Sequence, residues 1–156
     1  MSTTSRPVID DFLQQKRIAF VGISRNPQDF NRKLWAEMKR LGYDVVPVHP
    51  EAHEVDGVHA VPHVTDIHPG VDAALLMIPA EATERVVRDC AAAGIRRVWM
   101  YRAVGQGAVS EPALAFCREH GISVVAGECP FMFLKGSGGP HRVHRWFRKL
   151  TGTYPA

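Results

Sequence analysis

The sequence predicts an α/β domain in which a mainly parallel five-stranded sheet carries helices on both faces, with an extra amphipathic helix at the C-terminus. Three observations predict it. Short runs of Val, Ile, Leu and Phe such as Ile18-Ala19-Phe20-Val21 are apolar without alternation, as strands buried on both faces are. Between them, apolar residues recur at helical spacing. A glycine then separates each helical stretch from the next strand, three times over. Strands that alternate with helices need crossover connections, which make neighbouring strands parallel and the crossovers right-handed.

Taken in order, Val8 to Gln15 reads as a first, peripheral helix, and Ile18–Val21 as the first strand, ending at Gly22. Leu34, Trp35, Met38 and Leu41 form one apolar stripe before Gly42, and Tyr43 to Val48 is the second strand. Val58 to Val61 is a short candidate edge strand. The buried run Val71 to Ile78 is stopped by Pro79. Val86, Cys90 and Ala93 precede Gly94, and Val98 to Tyr101 follows. Ser110 and Pro112 mark the start of the next helix, with Leu114 and Cys117 on its stripe. Gly121 ends that helix, and Ile122 to Ala126 is the last strand. This is a Rossmann-like doubly wound order, in which ligands bind beyond the carboxyl ends of the strands, at the switch point beside the first strand. Gly22 to Arg25, Val48 to Glu51, Ile78 to Ala80, Tyr101 to Val104 and Gly127 to Cys129 should therefore border one crevice.

A chain of 156 residues with 46% hydrophobic composition suits one domain, residues 1–156, with a core over about residues 12–130 and a helical extension over about 140–151. No stretch of ~18 apolar residues and no leader-like start occur, so the expected location is the cytoplasm, away from membranes. Three cysteines, Cys90, Cys117 and Cys129, without paired or zinc-type spacing, argue for reduced thiols. The net charge of +3 is uneven. Lys135, Arg142, Arg145, Arg148 and Lys149 lie beyond the last acid, Glu128, leaving 14 basic against 16 acidic residues, a net −2, in residues 1–128.

The break at Gly22 is the strongest functional signal. A glycine at a strand end lets the backbone turn tightly and approach a ligand, and Ser24, Asn26, Asp29 and Asn31 then lead into a helix whose positive end favours an anion. The dinucleotide pattern G-x-G-x-x-G is absent, because no glycine lies between Gly22 and Gly42, and the second strand ends in Val48-His49-Pro50 rather than in an acid. The phosphate loop G-x-x-x-x-G-K-[ST] is absent too. An enzyme using NAD, NADP or another nucleotide stays as an alternative.

The set Gly22-Ile23-Ser24-Arg25-Asn26-Pro27, Val46-Pro47-Val48-His49-Pro50, Ile78-Pro79 and Val98-Trp99-Met100 resembles the stand-alone CoA-binding domain family over about residues 12 to 130. That family is similar to the nucleotide-binding domain of the succinyl-CoA synthetase alpha subunit. The resemblance implies coenzyme A, or an acyl-CoA, lying across the strand ends, its phosphates near the first two loops and its pantetheine along the later ones. It implies contacts from Gly22, Ile23, Ser24 and Arg25, with Arg32 and Lys33 as phosphate ligands, from Val48, His49 and Pro50, from Ile78 and Pro79, and from Tyr101 and Cys129 on the later loops. Arg and Lys make charge-assisted bonds that suit a 3′-phosphate. The family more often has Asn or Ser before the second-loop proline and Lys soon after it, where this chain has His49 and Glu51.

Gly127-Glu128-Cys129-Pro130 sits where the ligase subunit has an Asn-Cys-Pro turn. Cys129 faces a thioester or fills a structural turn, and no adjacent base is evident to activate it. Ligase chemistry in that family needs a phosphohistidine on a second domain, for which no residues remain. The expected function is thus non-catalytic binding, as a sensor or carrier. His49 with His53, and His141 with His144, do not complete a metal site, and no G-x-S-x-G elbow is present.

From residue 141, Val143, Trp146, Phe147 and Leu150 fall on one helical face and Arg142, Arg145, Arg148 and Lys149 on the other. Homodimerisation through this region is expected, with a nucleic-acid-associated module acting through its basic face as the third functional alternative.

Overall fold

The computed structural model describes residues 4–102 and 105–134. Helix α1 (Arg6–Leu13) precedes β1 (Arg17–Val21), α2 (Phe30–Arg40) and β2 (Asp44–Val48). A small hairpin, β3 (Glu54–Val55) and β4 (Val58–His59), follows, then a 3-10 turn over Val64–Asp66. The chain continues through β5 (Ala73–Leu76), α3 (Ala80–Ala92), β6 (Arg97–Met100), α4 (Glu111–Glu119), β7 (Ser123–Ala126) and a second 3-10 turn, Pro130–Met132. The main sheet has five parallel strands in the order β2-β1-β5-β6-β7. Ala19 pairs with Val46 on one side and Ala74 on the other, so β1 lies where the strand order reverses.

The apolar run of β1 divides between two cores because successive side chains point to opposite faces. Ile18 and Phe20 join Ile9 and Phe12 of α1 and Leu34, Trp35 and Met38 of α2. Ala19 and Val21 join Val87 and Cys90 of α3 and Leu114, Phe116 and Cys117 of α4. Each large side chain fully buried this way contributes about 1.5–3 kcal/mol. The two buried tryptophans also satisfy their N–H groups: Trp35 Nε1 donates to Val45 O at 3.1 Å, and Trp99 Nε1 donates to Gly127 O at 3.1 Å. Trp99 thereby fixes the backbone at the end of β7.

The three glycine stops do what their spacing implies. Gly42, Gly94 and Gly121 have positive φ, and the next residue's N–H reaches back to the final helical turn, as Ile95 does to Cys90 O and Ile122 to Cys117 O, both at 2.9 Å. Pro47 is accommodated in β2 because β2 is an edge strand, paired within the main sheet with β1 alone.

Three boundaries need correction, the first being the buried run Val71 to Ile78, of which only Ala73–Leu76 is strand. The first helix spans Arg6–Leu13 rather than Val8–Gln15, because Pro7 begins the helix in its first turn. The expected edge strand Val58 to Val61 is instead Val58–His59, paired antiparallel with Glu54–Val55, and Val61 makes a single parallel bridge to Val48. The cause is Asp56-Gly57, whose φ values of 48° and 79° build a two-residue hairpin turn. The expected C-terminal helix over about 140–151 and the homodimer contact assigned to it lie outside the described residues. No helix among the described residues is long and apolar enough to cross a membrane.

Candidate functional site

Gly22 carries β1 into the site with φ 90°, a conformation unfavourable to any side chain. Its N–H donates to Val48 O at 3.1 Å, and a Cβ placed on it would lie 2.4 Å from Met77 O and 2.8 Å from Ile78 Cγ2. The ends of β2, β1 and β5 close together only because that Cβ is missing.

The loop after Gly22 is held by its own polar side chains. Asn31, in the first turn of α2, donates from Nδ2 to Gly22 O at 2.9 Å and accepts at Oδ1 from Ser24 N at 3.0 Å. The Ser24 hydroxyl donates to the Asp29 carboxylate and accepts from Asn26 N at 3.0 Å. Asn26 Nδ2 also reaches Asp29, at 3.2 Å. Arg32 completes the framework from below: Nη1 donates to Ser24 O at 3.1 Å, while Nη2 pairs with Asp56 Oδ2 at 2.6 Å. The Arg32 side chain is only 6% exposed and its Nε has no partner among the described residues, so this cation is spent on holding the first loop and the hairpin together.

The second loop is ordered by His49. Its Nδ1 accepts from the backbone N–H groups of Glu51 and Ala52, both at 3.0 Å. In the neutral ring the proton then sits on Nε2, which becomes a donor. Across from it, Arg25 Nη1 lies 3.7 Å from Glu51 Oε2, both side chains well exposed. An ion pair of that kind contributes between about 0 and 1 kcal/mol and yields readily to a better anion.

Together these loops enclose a crevice of about 500 Å³ lined by Gly22 to Arg25, His49 to Glu51 and Met77 to Pro79. The sequence-selected residues Gly22, Ile23, Ser24, Arg25, His49, Pro50, Ile78 and Pro79 are thus brought to one place. Val48 is buried just beneath, Arg32 stands behind the first loop, and Lys33 is exposed on α2 away from the lining. Met77 and Glu51 also line the crevice. Asp56 and Phe30 carry no signal of their own in the sequence, although Asp56-Gly57 between two valines is a hairpin signature that locates the Arg32 partner.

Tyr101 and Cys129 occupy the later strand ends, outside that lining. Tyr101 N–H donates to Leu76 O at 3.1 Å, which sets the residue beside the end of β5. Burial, with the neighbouring Cys129, pushes its phenol up to about 12, so it stays a protonated donor. Cys129 is 4% exposed, and desolvation pushes its thiol up to about 11, against a lowering by a backbone hydrogen bond from Phe131. A thiol so placed is not a nucleophile at neutral pH. Beyond the crevice, a larger hollow of about 680 Å³ lies at the opposite end of the sheet, between α1, Lys16 and Tyr43, with Phe133 and Leu134 in its wall. Nucleotides bind to sheets of this kind at the carboxyl ends, which favours the smaller crevice.

Comparison with known proteins agrees with the geometry. Residues 16–135 match the family described as CoA binding domain. The chain is 29% identical over 130 residues to YneT of Bacillus subtilis (strain 168), covering 83% of this chain and 93% of that protein. It is 25% identical over 130 residues to the acetate--CoA ligase [ADP-forming] II subunit alpha of Pyrococcus furiosus, covering 78% of this chain but 28% of the subunit. Among solved structures, a hypothetical protein from Pyrococcus horikoshii OT3 superposes with a TM-score of 0.73 at 27% identity, over 80% of this chain and 84% of that one. The dinucleotide-forming acetyl-coenzyme A synthetase 1 of Ca. Korarchaeum cryptofilum superposes with a TM-score of 0.61 at 25% identity, over 70% of this chain and 25% of that one.

Proposed function

This chain belongs to the CoA-binding domain family, and we propose on that footing that it binds coenzyme A or an acyl-CoA in the crevice between the β1, β2 and β5 loops, without itself carrying out a reaction. The observation that supports this most is the convergence of Gly22 to Arg25, His49 to Glu51 and Met77 to Pro79 on one opening at the carboxyl ends of adjacent parallel strands. In this reading, the first loop takes the phosphates. Asn31 and Arg32 hold it in shape before the ligand arrives, so little ordering entropy is lost on binding. Arg25 leaves Glu51 for the 3′-phosphate, because a guanidinium bonds a phosphate more strongly than a well-exposed carboxylate. His49 Nε2–H supplies a neutral donor from the second loop.

Binding without chemistry is supported by the site's contents. The thiol nearest the later strand ends, Cys129, is buried and protonated, and the acid of the first loop, Asp29, is engaged by Ser24 and Asn26. A sensor or carrier role is the function proposed on that reading.

A second reading has one observation in its favour. Glu51, three residues past the end of β2, places a carboxylate in the crevice, where it would accept hydrogen bonds from the ribose of NAD. Calorimetric titration of the purified protein with CoA, acetyl-CoA, NAD and NADP separates the two. CoA binding with no NAD or NADP binding is the expected result, and NAD binding without CoA binding overturns the proposal.

A further inference from the structure

We propose that Phe30, Tyr101 and Phe131 form a binding site for the hydrocarbon chain of an acyl-CoA thioester, beside that crevice at the later strand ends. The inference rests on the CoA reading and adds to it the class of acyl group. Phe30 is the exposed large hydrophobic side chain among the described residues, 37% accessible at the first position of α2. An isolated exposed phenylalanine needs no explanation, but this one is fixed relative to the phosphate loop. Its two neighbours are Asp29, bonded to Ser24, and Asn31, bonded to both Gly22 and Ser24. Its ring lies 6.0 Å from that of Tyr101 and 5.4 Å from that of Phe131, so aromatic rings from the start of α2, the end of β6 and the last 3-10 turn meet in one cluster.

This cluster is joined to the crevice. Met77 lines the opening and packs on the same core as Tyr101 and Phe131. Tyr101 N–H is bonded to Leu76, the residue before Met77. An apolar wall therefore runs from the mouth of the crevice, past the end of β5, to the end of β6, about 10 Å from β1 at two strand spacings. A CoA with its phosphates on the first two loops sends its pantetheine along that wall and brings the sulfur to Tyr101, whose protonated hydroxyl is a donor for the thioester carbonyl. The chain beyond the carbonyl then meets Phe30 and Phe131. The three rings present apolar surface, which a hydrocarbon chain fits better than an acid does. Cys129 beneath is buried, so no transfer step is implied.

The test is a titration of the full chain with CoA, acetyl-CoA, butyryl-CoA and hexanoyl-CoA, repeated for Phe30→Ala and Phe30→Leu. Part burial of each methylene predicts hexanoyl-CoA binding about tenfold more tightly than acetyl-CoA. The ratio of the two affinities within one variant is the readout, so any general change in CoA binding cancels. That ratio should collapse toward one in Phe30→Ala and persist largely in Phe30→Leu. Equal affinity for all the thioesters in the unaltered protein, or a ratio unchanged in Phe30→Ala, overturns the acyl site while leaving the CoA reading intact. Failure of CoA itself to bind overturns the reading beneath it.

Discussion

Arg32 and Asp56 meet at 2.6 Å, and this contact ties helix α2 and the first loop to the turn of the β3–β4 hairpin. The guanidinium is almost wholly buried, while the Asp56 carboxylate is 58% exposed, so the acid neutralises a charge that cannot reach water. Asp56→Asn keeps a residue tolerant of the left-handed conformation but removes the charge. It should cost about 1–2 kcal/mol, between the values for exposed and buried pairs, read as a lower midpoint in urea unfolding. The same variant should bind CoA more weakly, because Arg32 also holds Ser24 O.

Gly22 and Gly42 make a matched pair. Both have φ above 90° or close to it, but a Cβ at Gly22 would strike Met77 O, whereas one at Gly42 meets nothing within 4 Å. Gly42→Ala should cost about 1–2 kcal/mol, from backbone conformation alone. Gly22→Ala should cost more than about 3 kcal/mol or prevent folding, since strand ends must also separate. Equal losses in denaturant titrations would contradict the packing described for the crevice.

The fold was readable from its apolar runs and glycine stops because both are local. So was the crevice, through Gly22, His49-Pro50 and Ile78-Pro79, once the strands were taken as parallel. What the sequence hid were partnerships across long separations. Nothing near Arg32 announces that its partner is Asp56, so it reads as an available cation. Phe30 reads as an ordinary first-turn residue, because only the folded sheet brings Tyr101 and Phe131 beside it. The Asp56-Gly57 turn was local and legible; taking Val58 to Val61 as one strand passed over it.

The thiols predict a pH dependence. Desolvation first of all pushes Cys90 up to about 12 and Cys117 and Cys129 up to about 11, from an ordinary 9.0. The folded state therefore holds protons that the unfolded chain releases above about pH 9, and unfolding releases more of them as pH rises. This contribution to stability is complete below pH 9 and is lost between about 9 and 12. The urea midpoint should fall from pH 8 to pH 10.5, and fall less in Cys90→Ala. At pH 8 native protein should alkylate at least about a hundredfold more slowly than unfolded protein.

Arg25 and Glu51 oppose each other across the opening, at 3.7 Å. Glu51→Gln should tighten CoA binding by about two- to fivefold, since Arg25 is released and a carboxylate that repels phosphate is gone, and the gain should shrink in high salt. Arg25→Ala should weaken CoA by about five- to tenfold and dephospho-CoA by less, as measured by calorimetry. Equal losses for the two ligands would remove Arg25 from the 3′-phosphate.

The most direct test of the central claim is a map of backbone amide shifts in ¹⁵N-labelled protein as CoA is added. The predicted result is a saturable change centred on Gly22, Ile23, Arg25, His49, Glu51 and Met77, the three loops that meet at the end of β1. Changes centred on Arg6, Leu13, Tyr43 and Leu134, around the hollow at the other end of the sheet, or no saturable change at millimolar CoA, would contradict it.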